Sequence, residues 1–325
     1  MNTNDNLIIS WQGWKMKKKD MLVALLVVII WGANFTVIKL GLGGVPSMLL
    51  VALRYLITAF PAVFIVKKPD TEWKYIILYG LFVGVLQFSC LFYAMEIGMP
   101  AGLASIVLQF QAFISPVMAM IFLKEKIKTK QVVGSLIAMS GLIIIATAAV
   151  SGGISAIPLP AIILTACAPI FWAASNIISR IASEKAAAEG KKLDMFSLVV
   201  WSGLIPPVPM FIFALILNTP QEIAGAISNL NGMSIFAVLY LAFGATLFGY
   251  GFWSKLIVKY PMGKVAPLSL LVPITGLLTA RIVLSEKLTA MQWLGAIVIL
   301  SGLVITNLSL ESVKGLFTKK SSEIN

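Results

Sequence analysis

"IFLKEKIKTKQVVGSLIAMSGLIII" at residues 121–145 and "IVLSEKLTAMQWLGAIVILSGLVIT" at residues 282–306 are one line written twice, 161 positions apart. Ten of the 25 aligned positions are identical, among them Glu125 with Glu286, Gln131 with Gln292, Gly134 with Gly295 and Gly141 with Gly302. The copies differ in charge: the first carries Lys124, Lys126, Lys128 and Lys130, the second only Lys287. A repeat that keeps its apolar pattern and sheds its lysines needs a physical reason.

Composition narrows that reason. The 325 residues are 59% hydrophobic and 12% charged, with a mean hydropathy of +0.96, too apolar for a soluble domain of this length. Crossing the hydrocarbon of a bilayer, about 30 Å, takes roughly 20 helical residues. Such stretches recur at 21–41, 47–66, 74–94, 100–123, 131–150, 159–180, 195–217, 233–255, 265–284 and 290–310. They are continuously apolar rather than alternating, which selects helices over barrel strands. The reading is therefore an all-α integral membrane protein with ten transmembrane helices. The longest gaps, 181–194 and 218–232, are too short to fold alone.

A net charge of +12 raises nucleic acid as a partner, but the charge is spread along the chain. With the N-terminus in the cytoplasm, 21 of the 25 Lys and Arg fall in internal segments, leaving only Lys39, Arg54, Arg281 and Lys287. The positive-inside rule then puts both termini in the cytoplasm of a multi-pass protein of the cell (inner or plasma) membrane, with the lipid bilayer and no nucleic acid as partner. Five spans per copy is an odd number, so the second copy enters the membrane upside down. "KEKIKTK" faces inward and "SEKLTAM" outward, where lysines are shed. "WGANFTVIK" (31–39) likewise matches "WAASNIISR" (172–180), and "MPAGLAS" (99–105) aligns with "YPMGKVA" (260–266). The domains are two inverted five-helix repeats, 21–150 and 159–310, between cytoplasmic tails 1–20 and 311–325. Inverted repeats suit a transporter, because two mirrored halves can open one central site to each side in turn.

Five stretches carry a resemblance to a known family: "VIIWGANFTVIK" (28–39), "LRYLITAFPAVF" (53–64), "GMPAGLASIVLQFQAF" (98–113), "YLAFGATLFGYGFW" (240–253) and "KVAPLSLLVPITGLL" (264–278). Over residues 17–310 the chain resembles the drug/metabolite transporter superfamily, specifically EamA-type exporters of the O-acetylserine/cysteine kind. The resemblance implies export of small amino-acid metabolites from the cytoplasm. Pro116 and Glu96 depart from the pattern.

The spans are almost without charge. The 13 carboxylates lie in loops, tails or span edges, and there is no His. That disfavours drug/proton antiport through a buried carboxylate and leaves neither acid/base nor metal-ligand clusters, so no enzyme, catalytic residue, metal or cofactor is expected. Cys90 and Cys167 are single within their spans.

Arg54, well inside the second span, either snorkels to the interface or meets a substrate carboxylate. Lys39 and Arg180 close equivalent helices. Gly102, Ser105, Gln109, Ala112 and Pro116 share one small, polar face of the fourth span, a candidate cavity lining from which Gln111 points away. Pro116 and Pro273 are helix kinks that free the carbonyls of Ala112 and Ser269; either neighbours satisfy these or a substrate ammonium does. Trp31 with Asn34 and Trp172 with Asn176 put an aromatic and an amide one turn apart in each repeat. Gln87, Tyr250 and Trp253 complete the candidate substrate cavity. The paired glycines Gly134, Gly141, Gly295 and Gly302 mark close helix packing or the seam of a homodimer.

An exporter of amino-acid metabolites is the leading reading. A same-fold transporter of a sugar, nucleoside or drug-like compound, and a non-transport sensor or scaffold, stay open. No GxxxxGK[ST] loop occurs, so a gradient or exchange drives transport. Met16, followed by "KKKD", reads as a translation start, with residues 1–15 as an extension or disordered tail; the other reading makes Trp11 and Trp14 interfacial anchors. The first span pairs with the sixth and is retained rather than cleaved.

Overall fold

The computed structural model describes residues 16–127, 129–151, 157–260, 265, 268–269 and 271–307. The readings of residues 1–15, of the C-terminal tail and of Lys128 lie outside the described residues. All regular structure among the described residues is helical: α1 (Lys18–Gly41), α2 (Ser47–Ala62), α3 (Trp73–Glu96), α4 (Ala101–Leu123), α5 (Thr129–Ser151), α6 (Leu159–Ala188), α7 (Met195–Ser202), α8 (Pro207–Leu217), α9 (Pro220–Ser228), α10 (Gly232–Leu239 continued by Tyr240–Phe248 and Gly249–Lys259), α11 (Leu271–Val283) and α12 (Ala290–Asn307). Helices α1, α3, α4, α6 and α10 are each long and apolar enough to cross a membrane. Helices α7 and α8 do so as a pair bent by 42°, and α2, α5, α11 and α12 are shorter apolar helices. The bend falls at Pro206 and Pro207, which disfavour continued helix at and before themselves.

The halves interlock. Helix α1 packs against α10 and α11, while α6 packs against α3 and α4, so the first helix of each half lies against two helices of the other. Helix α2 packs on α8, and α5 on α12. The α5–α12 seam explains the glycines. A Cβ on Gly141 would sit 2.7 Å from the carbonyl oxygen of Gly295, and one on Gly302 would sit 2.6 Å from that of Gly134. Each contact is the image of the other under the 161-residue repeat. These glycines are used within one chain, to let two backbones touch.

The repeated motif closes α4 and α11 with the same turn. Lys124 and Ser285 both have φ 55°, a left-handed conformation uncommon outside glycine that ends helices. The following amide folds back in each case: Glu125 N–H donates to Ala119 O and Glu286 N–H to Ala280 O, both at 3.3 Å.

Glutamates cap helices at the Glu286 end of the bundle. The carboxylate of Glu286 accepts from Ala101 N (2.7 Å) and Gly102 N (3.0 Å), tying the second repeat to the first turn of α4. Glu96 accepts from Ser47 N (3.1 Å) and Ser47 Oγ (2.5 Å) at the start of α2. Both place negative charge on unpaired N–H groups at the positive end of a helix. Lys39 Nζ donates to Met95 O beside them (2.5 Å). The equivalent Arg180 does not close its helix as expected, because α6 runs on to Ala188; it pairs with Glu125, so each half still sets this cation near one copy of the motif.

Helix α9 lies in a stretch read above as a gap. Thr219-Pro220-Gln221-Glu222 forms a capping box in which Glu222 N–H donates to Thr219 Oγ1 (3.2 Å) and Thr219 N–H to Glu222 Oε2 (2.7 Å).

Candidate functional site

Helices α3 and α10 change character at matching places. Gly80–Gln87 and Tyr240–Phe248 are π-helical, a wide turn common at functional sites. Each directs one polar side chain inward, Gln87 and Thr246, both buried.

Arg54 reaches Thr246. Its Nε and Nη2 donate to Thr246 Oγ1 at 3.3 and 3.0 Å, and that hydroxyl donates its own proton to Leu241 O (2.8 Å). The guanidinium lies over the rings of Phe88 (4.5 Å) and Tyr55 (5.6 Å), which stabilise a desolvated cation through their π faces. Arg54 is 3% exposed and does not snorkel. Its Nη1 has no partner, and no carboxylate is buried among the described residues.

The walls around Arg54 come from both halves: Tyr55, Tyr79 and Val83 from α2 and α3, Val199, Ser202, Thr246 and Tyr250 from α7 and α10. They enclose a space of about 10 Å³, about one water. The larger cavity, about 380 Å³, lies between α2 and α8 behind Leu53, Leu56, Phe211 and Ile212. Its lining is wholly apolar and offers a polar cargo no partner.

The remaining candidates divide. Trp31 stacks near Tyr250 (5.4 Å) and Trp253 (5.1 Å), and its Nε1 donates to Ala245 O in the π-helical turn (2.9 Å). Asn34, one turn on, is 9% exposed with its Oδ1 unpartnered, and Gln87 is 3% exposed with its Oε1 unpartnered. Arg54, Tyr250, Trp31 and Trp253 are thus joined by contacts, with Asn34 one turn from Trp31 and Gln87 next to Phe88 along the chain, and the residues that line the space at Arg54 include neither of these two. Asn176 is engaged elsewhere, its Nδ2 donating to Gln111 Oε1 (3.0 Å) and Ser115 Oγ (3.4 Å) across α6 and α4. Residues 108–110 of α4 form a tight 3-10 turn, which shifts the ideal spacing on which Gln109 and Gln111 were given opposite faces. Gln109 is buried.

Ser105 Oγ donates to Gly102 O (2.6 Å) and lies 3.5 Å from Pro273 O, inside the α4–α11 contact. Trp172 packs against the core and Ser269 is half-buried. Pro116 and Pro273 both lie inside helices. Sequence reasoning missed Thr246, Tyr55, Tyr79 and Ser202. The need of a buried cation for an acceptor was the signal that could have pointed to a partner such as Thr246.

The description "EamA-like transporter family" matches residues 18–147 and again 159–308, one match per half. The chain belongs to the EamA-like transporter family. This EamA-like transporter is 41% identical over 290 residues to a "Probable amino-acid metabolite efflux pump" of Salmonella typhimurium, across 89% of this chain and 95% of that protein. It is 40% identical, with the same coverage, to a protein so named in Escherichia coli. A "Probable terminal-alkyne amino-acid exporter" of Streptantibioticus cattleyicolor is 23% identical over 89% of this chain and 93% of its own. A crystal structure 17% identical, covering 89% of this chain and 96% of its own, has the same fold with a TM-score of 0.58. Family and helices together make this a multi-pass membrane protein that transports a small molecule.

Proposed function

We propose that this EamA-like transporter exports small amino-acid metabolites of the cysteine and O-acetylserine class across the cytoplasmic membrane by alternating access, and is not an enzyme. The observation that carries the reading is Arg54. A lone guanidinium buried without a carboxylate costs folding free energy unless something compensates it, and a cargo carboxylate fits its unpaired Nη1. The names of the 40–41% identical relatives support the broader class, amino-acid metabolites.

On this reading ten helices cross the inner membrane as two inverted repeats, 21–150 and 159–310, with both termini in the cytoplasm. The small space at Arg54, walled by both halves, is a closed form of the central site, which rocking of the halves would open to one side or the other. The neutral polar groups around it suit a zwitterion that brings its own charges.

The test is uptake into inside-out membrane vesicles. Vesicles with the protein should accumulate labelled cysteine and O-acetylserine faster than vesicles without it. Movement of a sugar or nucleoside while both amino acids are ignored would overturn the assignment.

A further inference from the structure

Among the described residues three buried side-chain atoms have no hydrogen-bond partner: Arg54 Nη1, Gln87 Oε1 and Asn34 Oδ1. One is a cationic donor and two are neutral acceptors. Leaving such groups unpaired away from water is costly, and all three lie at, or within one helical turn along the chain of, residues that touch one another around Arg54. Gln87 immediately precedes Phe88, whose ring lies 4.5 Å from the Arg54 guanidinium carbon. Asn34 sits one helical turn beyond Trp31, whose ring lies 5.4 Å from that of Tyr250, a wall of the Arg54 cavity. Helices α1, α2 and α3 thus each carry one unsatisfied polar atom at or within one turn of these contacts.

We propose that these atoms form a two-pole recognition site for a free α-amino acid, with the carboxylate held by Arg54 and the ammonium by the side-chain carbonyls of Gln87 and Asn34. The assignment rests on the export reading above and sharpens it into a requirement for both charges on the cargo. Amide oxygens receive an ammonium without a fixed negative charge. A carboxylate in their place would form a salt bridge with Arg54 and occupy the site itself. Neutral acceptors beside an unpaired cation leave the guanidinium available to the cargo. Acylating the amine removes the charge the amides hold, and removing the carboxylate strands Arg54 unpaired. O-acylation touches neither pole, so an O-acetylated amino acid remains a cargo.

The test uses the purified full chain in proteoliposomes, reading uptake of labelled cysteine under reducing conditions against unlabelled cysteine, N-acetylcysteine and cysteamine. For the wild type, N-acetylcysteine and cysteamine should each compete at least about tenfold more weakly than cysteine, the scale of one lost hydrogen bond to a charged group. Gln87→Leu and Asn34→Leu should weaken cysteine but not N-acetylcysteine, bringing the two closer together. Arg54→Gln should do the same for cysteine and cysteamine. Wild-type competition by either analogue as strong as by cysteine would overturn the two-pole site, and because it needs no variant it holds even if Arg54→Gln misfolds. Unchanged ratios in both amide variants would overturn the ammonium pole. A wild type that moves no amino acid contradicts the export reading and takes this site with it.

Discussion

Lys124 and Ser285, 161 positions apart, share a backbone conformation, φ 55°, which no other non-glycine among the described residues approaches on the positive side. Each closes a matching helix, α4 or α11, and each is followed by a glutamate that ties the junction to the other half, Glu125 to Arg180 and Glu286 to the first turn of α4. The repeat is therefore visible in backbone geometry as well as in side-chain identity. Of the lysines that distinguish the copies, Lys124 stands in the turn itself where the second copy has Ser285, so the turn does not depend on a lysine.

The glycine seam predicts a steric cost. In Gly141→Ala the new methyl meets Gly295 O at 2.7 Å and Ile299 N at 2.9 Å, both backbone atoms that cannot swing aside. We expect a loss of about 1–3 kcal/mol, read as a lower thermal midpoint in detergent. Gly302→Ala should behave alike, because it meets the image of that contact, and unchanged midpoints would mean that the seam is looser than described.

Arg54 should not be replaceable by lysine. A lysine keeps the charge but loses the planar fork and the face laid on Phe88, so Arg54→Lys should reduce transport about tenfold or more, the scale of a lost charge-assisted hydrogen bond. Thr246→Val removes the acceptor of both Nε and Nη2 and should destabilise the protein by about 1–3 kcal/mol. Full transport by Arg54→Lys would reduce the role of the guanidinium to charge alone.

The Glu286 cap predicts a graded pair. Glu286→Ala leaves the amides of Ala101 and Gly102 without their acceptor and should cost about 0.5–2 kcal/mol, as for other lost N-caps. Glu286→Gln keeps an acceptor oxygen and should fall between it and the wild type in thermal unfolding. Equal effects would mean that only the charge matters.

Much of this was legible in the sequence, though unevenly. The duplicated line, the continuous apolar stretches and the glycine pairs pointed to helices and a repeat because they are local or repeated signals. The capping box at Thr219–Glu222 was equally local, yet the short helix it starts was read as a gap. The site was harder. Arg54 could be picked out as the one deeply buried charge, but its partner Thr246 is an ordinary threonine 192 positions away. Asn176 reads as a cavity residue by symmetry with Asn34, yet its amide bonds Gln111, just past the 3-10 turn of α4 at 108–110. Deviations such as this 3-10 turn and the two π-helical stretches arise from tertiary packing, and one sequence does not announce them.

An ion pair in the loop before α3 gives a pH prediction. Glu72, in the loop before α3, accepts hydrogen bonds from Lys185 and Lys74, which hold its carboxyl below the ordinary carboxylate value. A carboxyl depressed on folding adds stability above its unfolded pKa and loses it as pH falls through the lowered folded value. Glu72→Gln should therefore lower the thermal midpoint slightly at neutral pH, as for an exposed pair, and the difference should vanish in acid. A difference that grew on acidification would have the wrong sign.

The opposite orientation of the two halves is the claim on which alternating access rests, and the shared turn offers a direct measurement. In a background with Cys90 and Cys167 replaced by alanine, Lys124→Cys and Ser285→Cys can each be exposed to a membrane-impermeant maleimide on intact cells, then after permeabilisation. The account predicts that position 285 labels from outside and position 124 only once the membrane is opened. Labelling of both from the same side would contradict it.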